Sequence, residues 1–295
     1  MQNNPASPLV ALHHPLLTAQ NCRLWVKRDD LLHPLISGNK WRKLQQPLAR
    51  AKAQHCPGIV SLGGPHSNHL LALAAACQAR GLASHGIVRG HQQQTPTLQK
   101  VQTLGMTLSF VSRQYYRQRH EKTFWLPWQQ RFPGWLLLAE GGSSTEALPG
   151  VAAVIDELDV NWQQLWVPVG SGGTLAGLVH GSAGRGTIIG VPAVRDSTLA
   201  DKITQLLEGS PYRNYRLLSG FEGPGFGRFS TAQAQQMRTL ATALQVPLEP
   251  IYGGKLLLAL WQQLSAGKLA GQSLVWLHTG GLQGLEALRQ QGRWL

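Results

Sequence analysis

An α/β fold with parallel sheets in two lobes follows from three observations. Short apolar segments alternate with helical patterns, which is the signature of βαβ units and a parallel sheet. The alternation comes in two successive series, which suggests two lobes with a cleft between them. Finally, 33 glycines among 295 residues, with 43% hydrophobic content, suit many tight strand-to-helix turns around one large or two modest cores.

Taken in order, residues 24–29 (LWVKRD) read as a strand and residues 44–53 are rich in helix formers. In the first full series, 58–62 is a strand and 68–80 a helix closed by Gly81. Residues 84–88 then form a strand, 95–104 a helix closed by Gly105, and 107–111 a strand. Glycine after a helix supplies the left-handed residue that ends it. The stretch 115–135 carries Trp125, Trp128, Phe132 and Trp135; buried packing is its expected use, ahead of an aromatic cofactor box. In the second series 165–169 is a strand, 174–180 a helix and 187–191 a strand. Residues 199–207 and 231–244 read as helices and 274–278 as a last buried strand. No internal repeat or low-complexity linker interrupts the pattern.

Composition narrows the function classes. The longest apolar runs, such as residues 70–77, are too short to span a bilayer, and the first residues (MQNNPASP) lack a signal-peptide pattern. Three cysteines, Cys22, Cys56 and Cys77, are odd in number and show no CxxC spacing. They predict a reduced, cytoplasmic protein with no disulfide framework and no metal site. A net charge of +13 raises the question of nucleic acid or membrane partners. The charges are scattered, however. The densest group, Arg113, Arg117, Arg119, His120 and Lys122, reads as a solvated basic face, so neither partner is expected.

Chemistry concentrates at a few glycine-rich junctions. Lys40 follows Gly38 and Asn39 where an extended run gives way to a helical pattern. The positive end of a helix dipole disfavours an ammonium there, which helps a lysine act as a neutral amine able to condense with an aldehyde cofactor. The alternative is a surface lysine beside a turn. Gly170, Ser171, Gly172, Gly173 and Thr174 link a strand to a helix start, an arrangement whose backbone N–H groups can cradle a phosphate. The loop is neither a Walker A loop nor a dinucleotide fingerprint, since no Gly-Lys-Ser/Thr follows and Leu175 takes the third-glycine position. Ser67 and Asn68 precede a helix, where one serves as N-cap and a spare hydroxyl can also bind a carboxylate. His66 and His69 read as satisfied structural histidines. Lys255 is either a second cation of the cleft or a surface lysine.

Residues 27–44 (KRDDLLHPLISGNKWRKL) resemble the lysine motif of the pyridoxal-phosphate-dependent 1-aminocyclopropane-1-carboxylate deaminase and D-cysteine desulfhydrase family. The resemblance continues, in family order, through 61–68 (SLGGPHSN), 140–143 (EGGS), 170–174 (GSGGT), 250–255 (PIYGGK) and 278–281 (HTGG). It implies the fold type II architecture, like the tryptophan synthase β-subunit. The larger cofactor-binding lobe is then built from residues 1–42 plus 146–295, and residues 43–145 form a smaller inserted lobe. It further implies pyridoxal 5'-phosphate as cofactor, a small amino acid as substrate and a homodimer. Lys40 would carry the cofactor covalently and move the substrate's α-proton. Asn68 would bond the cofactor's phenolic oxygen, Ser67 the substrate carboxylate, and residues 170–174 the phosphate. Thr279 would face the pyridine nitrogen, and Tyr252 the substrate.

Two positions bear on the reaction. In the ring-opening deaminases an acidic residue follows the tyrosine and leucine follows the late histidine; here they are Gly253 and Thr279. A threonine hydroxyl can bond the pyridine nitrogen without fully protonating it, and that weaker electron sink still suffices for β-elimination of a thiolate. The expectation is therefore D-cysteine desulfhydrase-like chemistry giving pyruvate, ammonia and sulfide. 1-Aminocyclopropane-1-carboxylate deamination is the alternative. A departure stands against both: Phe226 occupies a place where the family usually has a second active-site tyrosine, and it has no phenolic proton. A catalytically altered cofactor-binding protein thus remains a further alternative.

Overall fold

Parallel strands organise both parts of the chain. The computed structural model describes residues 6–294 apart from Ser37 and Phe226, so the expectation placed on Phe226 lies outside the described residues. In chain order the elements begin with β1 (Leu9–Leu12), α1 (Pro15–Ala19), β2 (Arg23–Lys27) and α2 (Asn39–Ala53). Next come β3 (Gly58–Gly63), α3 (Asn68–Gln78), β4 (Ala83–Arg89), α4 (Pro96–Thr103) and β5 (Met106–Val111). Then follow α5 (Arg113–Arg117), α6 (Lys122–Arg131), β6 (Leu136–Leu137), α7 (Leu148–Asp156), β7 (Gln164–Val169), α8 (Gly173–Ser182) and β8 (Thr187–Pro192). The last are α9 (Leu199–Leu206), β9 (Tyr215–Leu217), α10 (Thr231–Leu244), α11 (Gly253–Ser265), β10 (Ser273–Leu277) and α12 (Leu285–Gln290).

Several starts and stops have local causes. Thr95 caps α4 through Leu98 N–H, with Pro96 just inside, where its missing N–H is harmless. Ser230 and Gln233 form a reciprocal capping box at α10. Helices α7 and α11 add to those expected from the sequence. In α7, Pro149 and Gly150 fall within the first turn, where a proline is tolerated. In α11 the first two residues are Gly253 and Gly254, which read locally as a loop. Helix α2 begins at Asn39, five positions ahead of the expected run, so Lys40 sits in its first turn.

The chain divides into two units, Met1–Asn39 with Leu148–Leu282, and Lys40–Ala147 with Gln283–Leu295. The first holds a six-stranded sheet in the order β1-β2-β10-β7-β8-β9. Its neighbours run parallel except for the antiparallel pair β1 and β2. Its core joins β7, β8 and β10 to α7, α8 and α9 through residues such as Val151, Val167, Leu175, Ile188, Ile203 and Val275. The second unit holds a parallel four-stranded sheet, β5-β4-β3-β6. The aromatic stretch packs there as expected. Tyr116, Phe124 and Trp128 are buried with Val60, Leu62 and Ile87, and Trp125, Phe132 and Trp135 pack around them. Among the described residues, no helix is long and apolar enough to cross a membrane.

Candidate active site

In the first unit, β7 and β10 are parallel neighbours with Trp166 beside Trp276. Their carboxyl ends lead into residues 170–174 and into His278 and Thr279. The carboxyl ends of parallel strands are where open α/β sheets bind ligands. Gly172 is left-handed (φ 87°), and no side chain caps α8. A Cβ at Gly172 would lie 2.8 Å from Ile203 Cγ1, so both conformation and space call for glycine. The first N–H groups of α8 are thus left for an anion. Thr174 Oγ1 accepts from Asn39 Nδ2 at 2.7 Å. The loop's first glycine lies against Tyr252: a Cβ at Gly170 would be 3.2 Å from its ring.

Tyr252 is held by a residue that sequence reasoning missed. The buried Glu249 carboxylate accepts from Ile251 N–H at 2.7 Å, from Tyr252 N–H at 2.9 and 3.0 Å, and from Gly253 N–H. Burial raises its pKa to about 7, against the pull of the three N–H bonds and Lys255. Lys255 is neither a surface lysine nor a cation free to meet a ligand. It is 2% exposed, and Nζ donates to the Ala193 carbonyl at 2.7 Å and the Glu222 carbonyl at 2.6 Å. Thr279 is fixed through its carbonyl, which accepts Asn39 N–H at 3.3 Å. Gly38 (φ 64°) approaches so closely that a Cβ would fall 1.8 Å from that oxygen. The Thr279 hydroxyl has no hydrogen-bond partner among the described residues.

The second unit begins at Lys40, the residue after Asn39. Burial lowers its pKa to about 8, and the Glu140 carboxylate partly offsets this. Its amine has no hydrogen-bond partner among the described residues. One turn on, Lys43 is 1% exposed, with Nζ donating to Ser143 Oγ at 2.8 Å and the Gly141 carbonyl at 3.4 Å. Burial and the Lys40 charge push it well below the ordinary lysine value. Lys43 thereby clamps residues 140–143, a role for which the i, i+3 spacing of Lys40 and Lys43 was the available signal. Glu140 accepts from Tyr116 OH at 2.7 Å and Arg119 Nε at 2.6 Å. Arg119 also stacks 5.0 Å from the Tyr116 ring, so it leaves the basic face on which Arg113, Arg117 and Lys122 stay exposed.

Ser67 caps α3, accepting Leu70 N–H at 3.2 Å, and its own proton stays available to a ligand. Asn68 is the first residue of α3, and its amide has no hydrogen-bond partner among the described residues. The two flanking histidines differ from expectation. His66 is exposed and unbonded among the described residues, and His69 is buried with only one nitrogen bonded.

Each unit carries groups that suit part of a phosphorylated pyridine aldehyde. In the first, the helix start at α8 suits a phosphate and the Thr279 hydroxyl, unpartnered among the described residues, a ring nitrogen; in the second, the Asn68 amide, likewise unpartnered, suits a phenolic oxygen and the near-neutral Lys40 amine an aldehyde.

Comparison with known proteins agrees. The pattern of the family described as pyridoxal-phosphate dependent enzyme matches residues 3–280. A Pyrococcus abyssi protein, provisionally named a 1-aminocyclopropane-1-carboxylate deaminase, is 27% identical over 284 residues, covering 89% of this chain and 85% of its own. The bifunctional D-cysteine desulfhydrase/1-aminocyclopropane-1-carboxylate deaminase of Arabidopsis thaliana, a mitochondrial protein, is 26% identical over 300 residues, 89% of this chain and 73% of its own. The crystal structure of an ACC deaminase homologue superposes with a TM-score of 0.86 at 22% identity, covering 99% of this chain and 94% of that one. At that identity the likeness speaks for the fold.

Proposed function

The chain belongs to the pyridoxal-phosphate-dependent enzyme family, and we propose that it is a lyase or deaminase of small amino acids, with β-elimination from D-cysteine as its foremost reaction. Bound here, pyridoxal phosphate would supply an electron sink for the charge left when the substrate's α-proton departs. Lys40 Nζ would anchor the cofactor and, when free, would take and return that proton. The N–H groups at the start of α8 would hold the phosphate, the Thr279 hydroxyl the ring nitrogen and the Asn68 amide the phenolic oxygen. Ser67 and the N-terminus of α3 bind the substrate carboxylate, and Tyr252 faces the substrate. D-Cysteine and water would leave as pyruvate, ammonia and sulfide.

The observation that carries the choice of elimination is the Tyr252 turn. Gly253 has no side chain to bring a carboxylate to the ring nitrogen, and the Glu249 carboxylate is already engaged by three backbone N–H groups. A ring nitrogen held by the Thr279 hydroxyl would be enough of a sink to expel thiolate but poorly suited to breaking a carbon–carbon bond. Three free, buried cysteines suit a reducing compartment, and on that ground we place the protein in the cytoplasm. The resemblance extends the reading to a homodimer, which sedimentation velocity checks.

The test measures pyruvate and sulfide from D-cysteine beside 2-oxobutyrate from 1-aminocyclopropane-1-carboxylate. Turnover of D-cysteine alone is expected. Turnover of the cyclopropane substrate overturns the reading of Gly253 and Thr279. If neither turns over and no small amino acid takes up deuterium at its α-carbon, the chain is an altered cofactor-binding protein.

A further inference from the structure

His69 follows Asn68 in α3 and is 3% exposed. Its Nε2 lies 2.8 Å from Ser61 Oγ, and Ser61 Oγ donates to the Leu138 carbonyl at 2.8 Å. A hydroxyl has one proton to give, so the bond between His69 and Ser61 is made by a proton on Nε2. The other ring nitrogen, Nδ1, is then a bare lone pair. It is buried and has no hydrogen-bond partner among the described residues, and such an orphan in a packed interior asks for a use.

The surroundings point to one. A Cβ at Gly142 would lie 3.1 Å from His69 Cε1, 3.5 Å from Nδ1 and 3.7 Å from Lys43 Cβ. The bare nitrogen therefore lies beside the turn of α2 that carries Lys40 and Lys43. Burial, then the charges of Lys40 and Lys43, hold the ring's pKa well below the ordinary histidine value, which keeps it neutral and Nδ1 an acceptor. Of the two amines, Lys43 is already bonded to Ser143 and Gly141. Lys40 has no acceptor among the described residues. Glu140, whose charge raises the Lys40 pKa, already accepts from Tyr116 and Arg119, one bond at each oxygen.

We propose that His69 is a positioning residue for Lys40: its Nδ1 accepts a hydrogen bond from the Lys40 ammonium whenever that amine is free and protonated. This rests on Lys40 being the cofactor lysine. On that reading the amine would leave the cofactor and carry a proton in each turnover, and an acceptor on α3 would hold it within reach. Serine at position 61 has its own part, since it decides which nitrogen of His69 is bare.

The experiment uses the cofactor-free protein and reads Lys40 directly. Competitive acetylation by acetic anhydride across a pH series, followed by peptide mapping, gives the titration midpoint of the Lys40 amine. A hydrogen bond that stabilises the ammonium raises that midpoint, so its removal lowers it. His69→Gln keeps a donor for Ser61 where Nε2 was and removes the Nδ1 acceptor; His69→Asn places an amide oxygen near Nδ1. In His69→Gln the midpoint is expected to fall by about half a unit, roughly threefold in the neutral fraction at pH 7. His69→Asn is expected to recover part of the fall. An unchanged midpoint in folded His69→Gln protein overturns the proposal. So does a ¹⁵N spectrum of the native protein with the proton on Nδ1, a measurement that stands even if the variants fail to fold. Failure of the cofactor reading shows separately, as a visible absorbance band that survives Lys40→Ala.

Discussion

The two units contribute opposite kinds of chemistry. The first offers fixed dipoles: an uncapped helix start after Gly172, a threonine hydroxyl, and a tyrosine whose backbone is pinned by Glu249. The second offers buried titratable groups: Lys40 and Lys43 one turn apart, both lowered by desolvation, with His69 neutral beside them. Holding an anion needs N–H groups that neither titrate nor move. Moving a proton needs an amine close to neutrality, and burial brings a lysine there at some expense in stability. The difference teaches that the lowered lysine amines belong to the stretch after Asn39, whereas helix starts that suit an anion occur in both units, at α8 and at α3.

Breaking either half separates the two. Lys40→Ala should have the largest effect, lowering turnover by about a thousandfold or more by removing the proton-carrying amine. The visible band of the reconstituted protein should vanish as well, and fluorescence titration should still find weak phosphate-dependent cofactor binding. Gly172→Val strikes the other half. A β-branched residue at φ 87° against Ile203 should cost about 1–3 kcal/mol of stability in urea melts. It should also weaken cofactor binding at least tenfold while leaving the Lys40 titration midpoint in place.

Two milder experiments sharpen the contrast. With the Lys40 pKa lowered to about 8, the neutral amine is the minor form at pH 6. Stopped-flow cofactor capture should accelerate about tenfold per pH unit up to that value and level off above it. A rate flat across pH 6–8 would mean the amine is not the group that limits capture. Glu140→Gln removes the charge that raises Lys40. It should move the midpoint of that profile downward by a few tenths of a unit, the smallest effect of the series, and leave affinity for inorganic phosphate unchanged.

Much of this arrangement is legible in the residues. The strand-and-helix alternation appears in the parallel sheets of both units, and the glycine loop at residues 170–174 does link a strand to a helix. Lys40 does stand at a helix start. What sequence periodicity hides is where neighbours at a distance take over. Helix α11 opens with two glycines, and its start is organised by the carboxylate of Glu249, four positions before the helix. Helix α2 begins at Asn39, whose side chain is bonded to Thr174, 135 positions away. Local propensity carries no record of either.

The sequence by itself therefore determined the alternation of strands and helices along the chain, the glycine turns between them and the place of the lysine, because turn chemistry and hydrophobic period act over a few residues. The tertiary structure decided what those groups are chemically. Lys43 meets Gly141 across 98 positions and Lys255 meets Ala193 across 62. Desolvation and hydrogen bonding are set by whatever atoms the fold brings alongside. A pKa, a tautomer or a spent carboxylate is accordingly a property of the packed molecule rather than of the chain.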